Sequence, residues 1–184
     1  MGLIAALALA ALIVSAAPAS AGETGWEVSA RAGYFDPSDL AFRSFYVGGP
    51  IYGLSVGWMH STGMGVRVGT SLFATSTRYR SRTEEAMFFP TTASMIYLPL
   101  NGHRATPVIG AGFGLYSARD HDLDTGKSQS WFAFGYHGLA GVRIRAVRGL
   151  FAEIDIQYDF ARADKLFHAD MGGWTSTIGL GCAF

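Results

Sequence analysis

From Trp26 onward, hydrophobic residues recur at every second position. Trp26, Val28, Ala30, Ala32 and Tyr34 alternate with Glu27, Ser29, Arg31 and Gly33. A second segment sets Tyr52, Leu54, Val56 and Trp58 against Gly53, Ser55 and Gly57. A third sets Met64, Val66, Val68, Thr70 and Leu72 against Gly65, Arg67, Gly69 and Ser71. The fourth, Phe88 to Leu98, is blurred by Pro90 and Met95, although Thr92 and Ser94 still oppose Ala93 and Tyr97. In the fifth, Ile109, Ala111, Phe113 and Leu115 face Gly110, Gly112 and Gly114; in the sixth, Phe132, Phe134, Tyr136, Ala140, Val142 and Ile144 face Gly135, His137, Gly141, Arg143 and Arg145. The seventh is the clearest, with Ala152, Ile154, Ile156, Tyr158 and Phe160 against Glu153, Asp155, Gln157 and Asp159. The eighth sets Trp174, Ser176, Ile178, Leu180, Cys182 and Phe184 against Thr175, Thr177, Gly179 and Gly181. Successive strand residues point to opposite faces, so the pattern predicts strands with one apolar and one polar side.

The predicted strands run to about ten residues, the length that crosses a bilayer at a tilt of about 45°, whereas soluble strands average about 5–6. Aromatic residues stand near strand ends, at Trp26, Tyr34, Tyr52, Trp58, Tyr97, Tyr116, Tyr158 and Trp174, as in an interfacial girdle. Connections alternate in length. Short ones fall at residues 60–63, 101–104 and 146–149, and long polar ones at 36–49, 78–87, 119–130 and 162–173. The prediction is an all-β fold: an eight-stranded antiparallel up-and-down transmembrane β-barrel with short periplasmic turns and longer outer loops. Closure leaves no strand edge unpaired in lipid. The rival is a soluble secreted β-barrel with a ligand in its apolar core, which needs Glu153, Asp155 and Asp159 to face water.

Composition supports the membrane reading. Charged residues make up 15% of the 184 residues, against roughly 25% in soluble domains. The 14 Lys and Arg balance 14 Asp and Glu, which leaves no basic footprint for nucleic acid. The apolar run Leu3 to Val14, the break at Pro18 and Ala19-Ser20-Ala21 predict a signal peptide over 1–21 and a barrel domain over 22–184. That run is shorter than the ~20 apolar residues of a spanning helix, and only the α-amino group supplies positive charge before it. The single cysteine, Cys182, is expected as a buried or lipid-facing hydrophobe.

The polar faces place Glu27, Arg31, Arg67, His137, Arg143, Arg145, Glu153, Asp155 and Asp159 inside the barrel. Eight strands leave a bore just wide enough for side chains, so these charges are expected to pair into a plug. The alternative is a narrow polar path for small solutes. Gly110, Gly112, Gly114, Gly179 and Gly181 are expected to face inward, either leaving room for the arginines or serving strand curvature.

Other motifs lead to no expected catalytic, cofactor-binding or metal residue. Asp120, Asp122 and Asp124 have calcium-loop spacing, but Thr125 and Trp131 stand where that loop needs Gly and an acid; the reading is a solvated acidic loop. His60-Ser61 lies in a short turn, and His168 and Asp170 in the last long loop. A hydrolase needs such groups within hydrogen-bond reach. The glycine file from Thr106 to Gly114 has period two with no helix after it, unlike a dinucleotide motif. Phe88-Phe89 and Phe42, Phe45, Tyr46 are read as lining an outer loop surface or the lipid interface.

The eight strands, the run Ala32-Gly33-Tyr34-Phe35-Asp36-Pro37 and the aromatic end Ile178-Gly179-Leu180-Gly181-Cys182-Ala183-Phe184 resemble small outer-membrane barrels of the OmpA, OmpX and OmpW type. The resemblance covers Gly22 to Phe184. It implies residence in the outer membrane after export, with outer-membrane lipids and lipopolysaccharide as surroundings. It also implies recognition of the last strand by the barrel-assembly machinery. The expected role is structural or surface-interacting, toward an unidentified surface ligand. A narrow channel is the alternative, and a lipid-modifying hydrolase a more distant one. Fold alone does not choose among them.

Overall fold

A computed structural model describes residues 24–38, 48–79, 82–122, 128–147, 149–161 and 172–184. They form β1 (Gly25–Pro37), β2 (Gly49–Met59), β3 (Met64–Tyr79), β4 (Arg82–Tyr97), β5 (Ala105–Asp122), β6 (Ser128–Arg145), β7 (Leu150–Ala161) and β8 (Gly173–Ala183). Each strand pairs antiparallel with the next and β8 closes on β1, giving the expected closed barrel. At the closing seam the Trp26 N–H donates to Phe184 O at 2.9 Å and the Phe184 N–H to Trp26 O at 2.8 Å.

The register can be followed once round the barrel from Glu27 through Gly57, Arg67, Ser94, Gly112, His137, Asp159 and Gly173. It returns to β1 at Pro37, ten residues higher. That stagger sets the strands at roughly 45° to the barrel axis, the tilt of membrane barrels. Side chains then divide as the alternation requires. Leu54, Val56, Val66, Val68, Ile154, Ile156, Ile178 and Leu180 are exposed on the outer wall, while Glu27, Arg67, Arg143, Glu153 and Asp155 are buried inside.

The short turns include Gly63 at φ 86° and Gly149 at φ 76°, a left-handed backbone that a side chain would strain. The middle turn begins at Leu98 rather than Asn101, because the Asn101 N–H returns to Leu98 O at 3.1 Å and Leu98 is buried.

Two of the expected outer loops are largely strand. β3 runs to Tyr79 and β4 begins at Arg82; β5 runs to Asp122 and β6 begins at Ser128. In these extensions the sequence is polar at successive positions, as in Ser76-Thr77-Arg78, Arg82-Thr83-Glu84-Glu85 and Ser128-Gln129-Ser130, so the apolar alternation fades although strand pairing continues. Asp120 and Asp122 accordingly lie in β5 rather than in a loop. Pro90 also has a local effect. The β3–β4 ladder breaks between Thr70↔Thr91 and Phe73↔Phe88, since proline has no N–H to offer. The register nonetheless carries across the break, and Met95 faces outward. The predicted signal peptide, Phe42, Phe45, Tyr46, the Leu123–Gly126 part of the acidic motif, His168 and Asp170 lie outside the described residues.

Candidate functional site

The bore is filled in layers. Toward the short-turn end, Met59, Ile96, Leu98, Val108 and Leu139 form an apolar floor. Above it sits a compact ionic cluster in which Glu153 accepts from three arginines. Arg67 grips it with Nη1 to Oε1 at 2.7 Å and Nη2 to Oε2 at 3.0 Å. Arg143 Nε donates to Glu153 Oε2 at 2.8 Å, and Arg31 Nη2 to Oε1 at 3.3 Å. Arg143 also donates to Glu27, at 2.7 Å to Oε2 and 3.1 Å to Oε1. Arg31 Nη1 lies 3.4 Å from Asp155 Oδ2, and Thr177 Oγ1 donates to Asp155 Oδ1 at 2.9 Å.

Three arginines therefore balance three carboxylates, through forked contacts that suit the planar guanidinium. The network is assembled from β1, β3, β6 and β7, so closure of the sheet is what brings it together. Arg143 Cζ lies 4.1 Å from the centre of the Phe151 ring, which covers one face of its guanidinium.

Two of the expected lumen charges stand outside this cluster. Arg145 donates through Nη2 to Asn101 Oδ1 at the short-turn end, a side-chain amide rather than a carboxylate. Asp159 lies higher in the bore, where Tyr116 Oη donates to Oδ1 at 2.6 Å and Gln157 Nε2 to the same oxygen at 2.8 Å. His137, the cross-strand neighbour of Asp159, has Nε2 2.8 Å from Ser94 Oγ. This serine–histidine contact was not read from the sequence, because the partners lie 43 residues apart. It is no catalytic triad: His137 Nδ1 finds no partner among the described residues, and Asp159 is held by neutral donors. His60, by contrast, lies in the first short turn with Nδ1 3.0 Å from Thr62 Oγ1.

Between the ionic cluster and the outer end lies a cavity of about 40 Å³ with a mixed lining, including Arg31, Ser55, Asp155 and Asp159 as well as Ile51, Pro90 and Leu139. Space of that size admits on the order of three waters. Above it, Phe35, Phe73, Phe88 and Tyr116 form a buried aromatic layer with Ile51, Ala118, Ala133 and Ala161. Phe35 meets Phe73 edge-on at 5.3 Å and stacks on Phe88 at 5.2 Å, and Phe88 stacks on Tyr116 at 6.0 Å.

This layer corrects two expectations. Tyr116 is fully buried in the bore, not a girdle residue, and Phe88 points inward while Phe89 points out. The signal lay in strand parity: Tyr116 shares the face of Gly112 and Gly114, and Phe88 that of Thr92 and Ser94. Trp26, Tyr34, Tyr52, Tyr97 and Trp174 do face outward. Cys182 is buried.

The profile of the family described as outer membrane protein beta-barrel domain matches residues 5–184. No curated protein matches the chain in sequence. Among solved structures, Neisserial surface protein A superposes with a TM-score of 0.71 at 15% identity, covering 87% of this chain and 97% of its own. The N-terminal β-barrel domain of Pseudomonas aeruginosa OprF gives 0.59 at 15% identity, covering 88% and 98%. Ail, the attachment invasion locus protein of Yersinia pestis, solved with the heparin analogue sucrose octasulfate, gives 0.56 at 14% identity, covering 86% and 99%. At these identities the structures speak for the fold, whereas the family profile runs through all eight strands. The chain belongs to the outer membrane protein beta-barrel domain family and is an outer-membrane barrel.

Proposed function

We propose that this barrel is a structural and surface-interaction protein of the outer membrane, without catalytic activity, whose lumen is closed. It reaches the membrane by export and cleavage after Ala21, and the barrel-assembly machinery reads its C-terminal strand. Lipopolysaccharide and the outer-leaflet lipids are its immediate partners.

The observation that carries the closed lumen is the fork of Arg67 and Arg143 on Glu153 and Glu27, made by side chains each no more than 5% exposed. A permeating ion would have to displace buried charges that already satisfy one another, and leaving one unpaired costs several kcal/mol, on the order of 3–5. The aromatic layer above adds a second barrier that offers a hydrated ion no hydrogen bond. Function then falls to the loops and the outer wall.

The cavity under the aromatic layer, with Arg31, Asp155 and Asp159 in its lining, favours a second reading, a narrow conduit for small solutes. Single-channel recording of detergent-refolded protein in a planar bilayer separates the two, with unboiled and boiled gel mobility as the proof of folding. A closed lumen gives a silent bilayer. Unitary steps that change with Arg67→Gln or Asp155→Asn would establish the conduit instead.

A further inference from the structure

The charges of the bore balance in number but not in place. Arg31, Arg67 and Arg143 are matched by Glu27, Glu153 and Asp155 within one cluster. That leaves Arg145 at the short-turn end, on Asn101, and Asp159 beneath the aromatic layer. His137, the cross-strand neighbour of Asp159, stands eight residues along β6 from Arg145. At about 3.3 Å per residue that is roughly 26 Å of strand, too far for the two charges to pair.

Asp159 is 2% exposed and lines the cavity. Tyr116 Oη and Gln157 Nε2 both donate to its Oδ1, so Oδ2 has no donor among the described residues. His137 does not supply the missing charge. Its Nε2 meets Ser94 Oγ, and its buried Nδ1 has no partner among the described residues. Phe35, Phe73, Phe88 and Tyr116, each no more than 3% exposed, roof the cavity, so a charge at the outer mouth of the bore does not reach Asp159. The apolar part of the lining, Ile51, Pro90 and Leu139, makes an unmatched charge there costlier.

We propose that the bore holds one small alkali cation, such as sodium, beside Asp159 as a trapped structural ion. Sign and size follow from the same observations. One carboxylate is unmatched, so the occupant carries one positive charge; an anion drawn by Arg31 or Arg67 would add to the excess. The lining offers hard oxygen donors besides Asp159. Ser71, Thr92 and Thr175 carry hydroxyls, and Gln157, with its amide N–H on Asp159, keeps Oε1 as an acceptor. Among the described residues no three of His, Cys, Asp and Glu are grouped as metal ligands, unlike the donor sets of zinc or calcium sites. Room for on the order of three waters takes a sodium ion with one or two of them, and excludes a bulky organic cation. The inference goes beyond the closed-lumen reading, because this ion is part of the folded barrel and does not permeate.

The test uses the full chain refolded into phosphatidylcholine vesicles in sodium chloride or in N-methylglucamine chloride of equal ionic strength. Urea unfolding is followed by heat-modifiable gel mobility. A ligand held by the folded state alone raises the folding constant in proportion to its concentration above Kd, so tenfold more sodium should raise it about tenfold. Asp159→Asn keeps an acceptor for Tyr116 and Gln157, and should fold equally well in both salts. Thr175→Val keeps the charge and removes one oxygen; it should need about tenfold more sodium for the same midpoint, the effect of one lost contact to a charge. Barrels refolded and crystallised in thallium(I) salt should show one anomalous peak beside Asp159, absent from Asp159→Asn.

Equal folding constants in the two salts overturn the proposal. So does a sodium dependence that survives Asp159→Asn, which places the ion elsewhere. A folding constant that follows pH and ignores the cation also overturns it, by giving Asp159 a proton in place of the ion. Each of these is distinct from a failure of the closed-lumen reading, which shows as unitary currents across a planar bilayer.

Discussion

The ionic cluster and the aromatic layer fill the same bore, a few residues apart along the strands, by opposite means. Around Glu153 the contacts are directional. Arg31, Arg67 and Arg143 hold one carboxylate in common, and the loss of that residue leaves several buried charges unmatched at once. Around Phe73 the contacts are dispersive, and Phe35, Phe88 and Ile51 fill space without needing one another's polar atoms. The comparison teaches where specificity and tolerance reside in a barrel this narrow. Volume-conserving changes in the aromatic layer are tolerable. In the cluster even an isosteric change is severe, because a neutral amide cannot balance three guanidiniums.

The largest expected effect follows from that difference. Glu153→Ala strands the arginines and should cost about 3–5 kcal/mol, read as a lower urea midpoint for unfolding from vesicles. Replacing Arg143 by Met and Glu27 by Leu together should cost far less than either change alone, because no ion is orphaned. If the double change is as damaging as the sum of the singles, the cluster does not act as a matched set. Phe73→Ala comes next, at about 3 kcal/mol for the buried ring and the void it leaves. Phe73→Leu should recover most of that loss, while Glu153→Gln should recover little of the loss of Glu153→Ala. Equal rescue by both would break the comparison.

These two regions were unequally legible in the sequence. The ionic cluster could be read because Glu153 and Asp155 interrupt an otherwise apolar run at alternate positions. A charge opposite isoleucine announces its face. Which charges pair could not be read: Arg67 and Glu153 are 86 residues apart and meet only across the closed bore. Four arginines balanced four carboxylates on paper, but the wall geometry leaves Arg145 with Asn101 and Asp159 with Tyr116. Tyr116 and Phe88 of the aromatic layer are misplaced by hydrophobicity alone, which says "lipid" in a barrel, while an inward ring looks the same as an outward one unless strand parity is carried to the strand's end. Strand ends were lost for a related reason. Toward the outer end polar residues occupy both parities, so the period-two signal vanishes while the backbone ladder of β3–β6 runs on.

Tyr116 joins the two chemistries, since its ring belongs to the aromatic layer and its hydroxyl donates to Asp159. Tyr116→Phe keeps the ring and removes one of the two donors to a buried carboxylate. The expected cost is about 1.5–2 kcal/mol, in the range of a hydrogen bond to a charged group. Adding Asp159→Asn to Tyr116→Phe should then cost less than Asp159→Asn alone, since their shared contact is already gone. Additive losses would place Tyr116 with the rings alone.

The smallest expected effect comes from the same residue type on the other side of the wall. Phe160 stacks with Tyr136 at 4.8 Å and meets Tyr158 edge-on at 4.4 Å, so its ring geometry is at least as close as that of Phe73 with Phe35, at 5.3 Å. Yet Phe160 faces lipid and Phe73 faces the bore. When Phe160→Ala removes the ring, acyl chains occupy the vacated surface and no void survives, so transfer and cavity costs nearly vanish. What remains is the pairwise aromatic term, about 0.5–1.5 kcal/mol, against about 3 for Phe73→Ala. Urea midpoints of the two variants, measured in the same vesicles, compare one residue type with its vacated space filled and unfilled. A Phe160→Ala loss as large as that of Phe73→Ala would mean that lipid does not fill the gap, and that the outer wall packs against something more rigid than acyl chains.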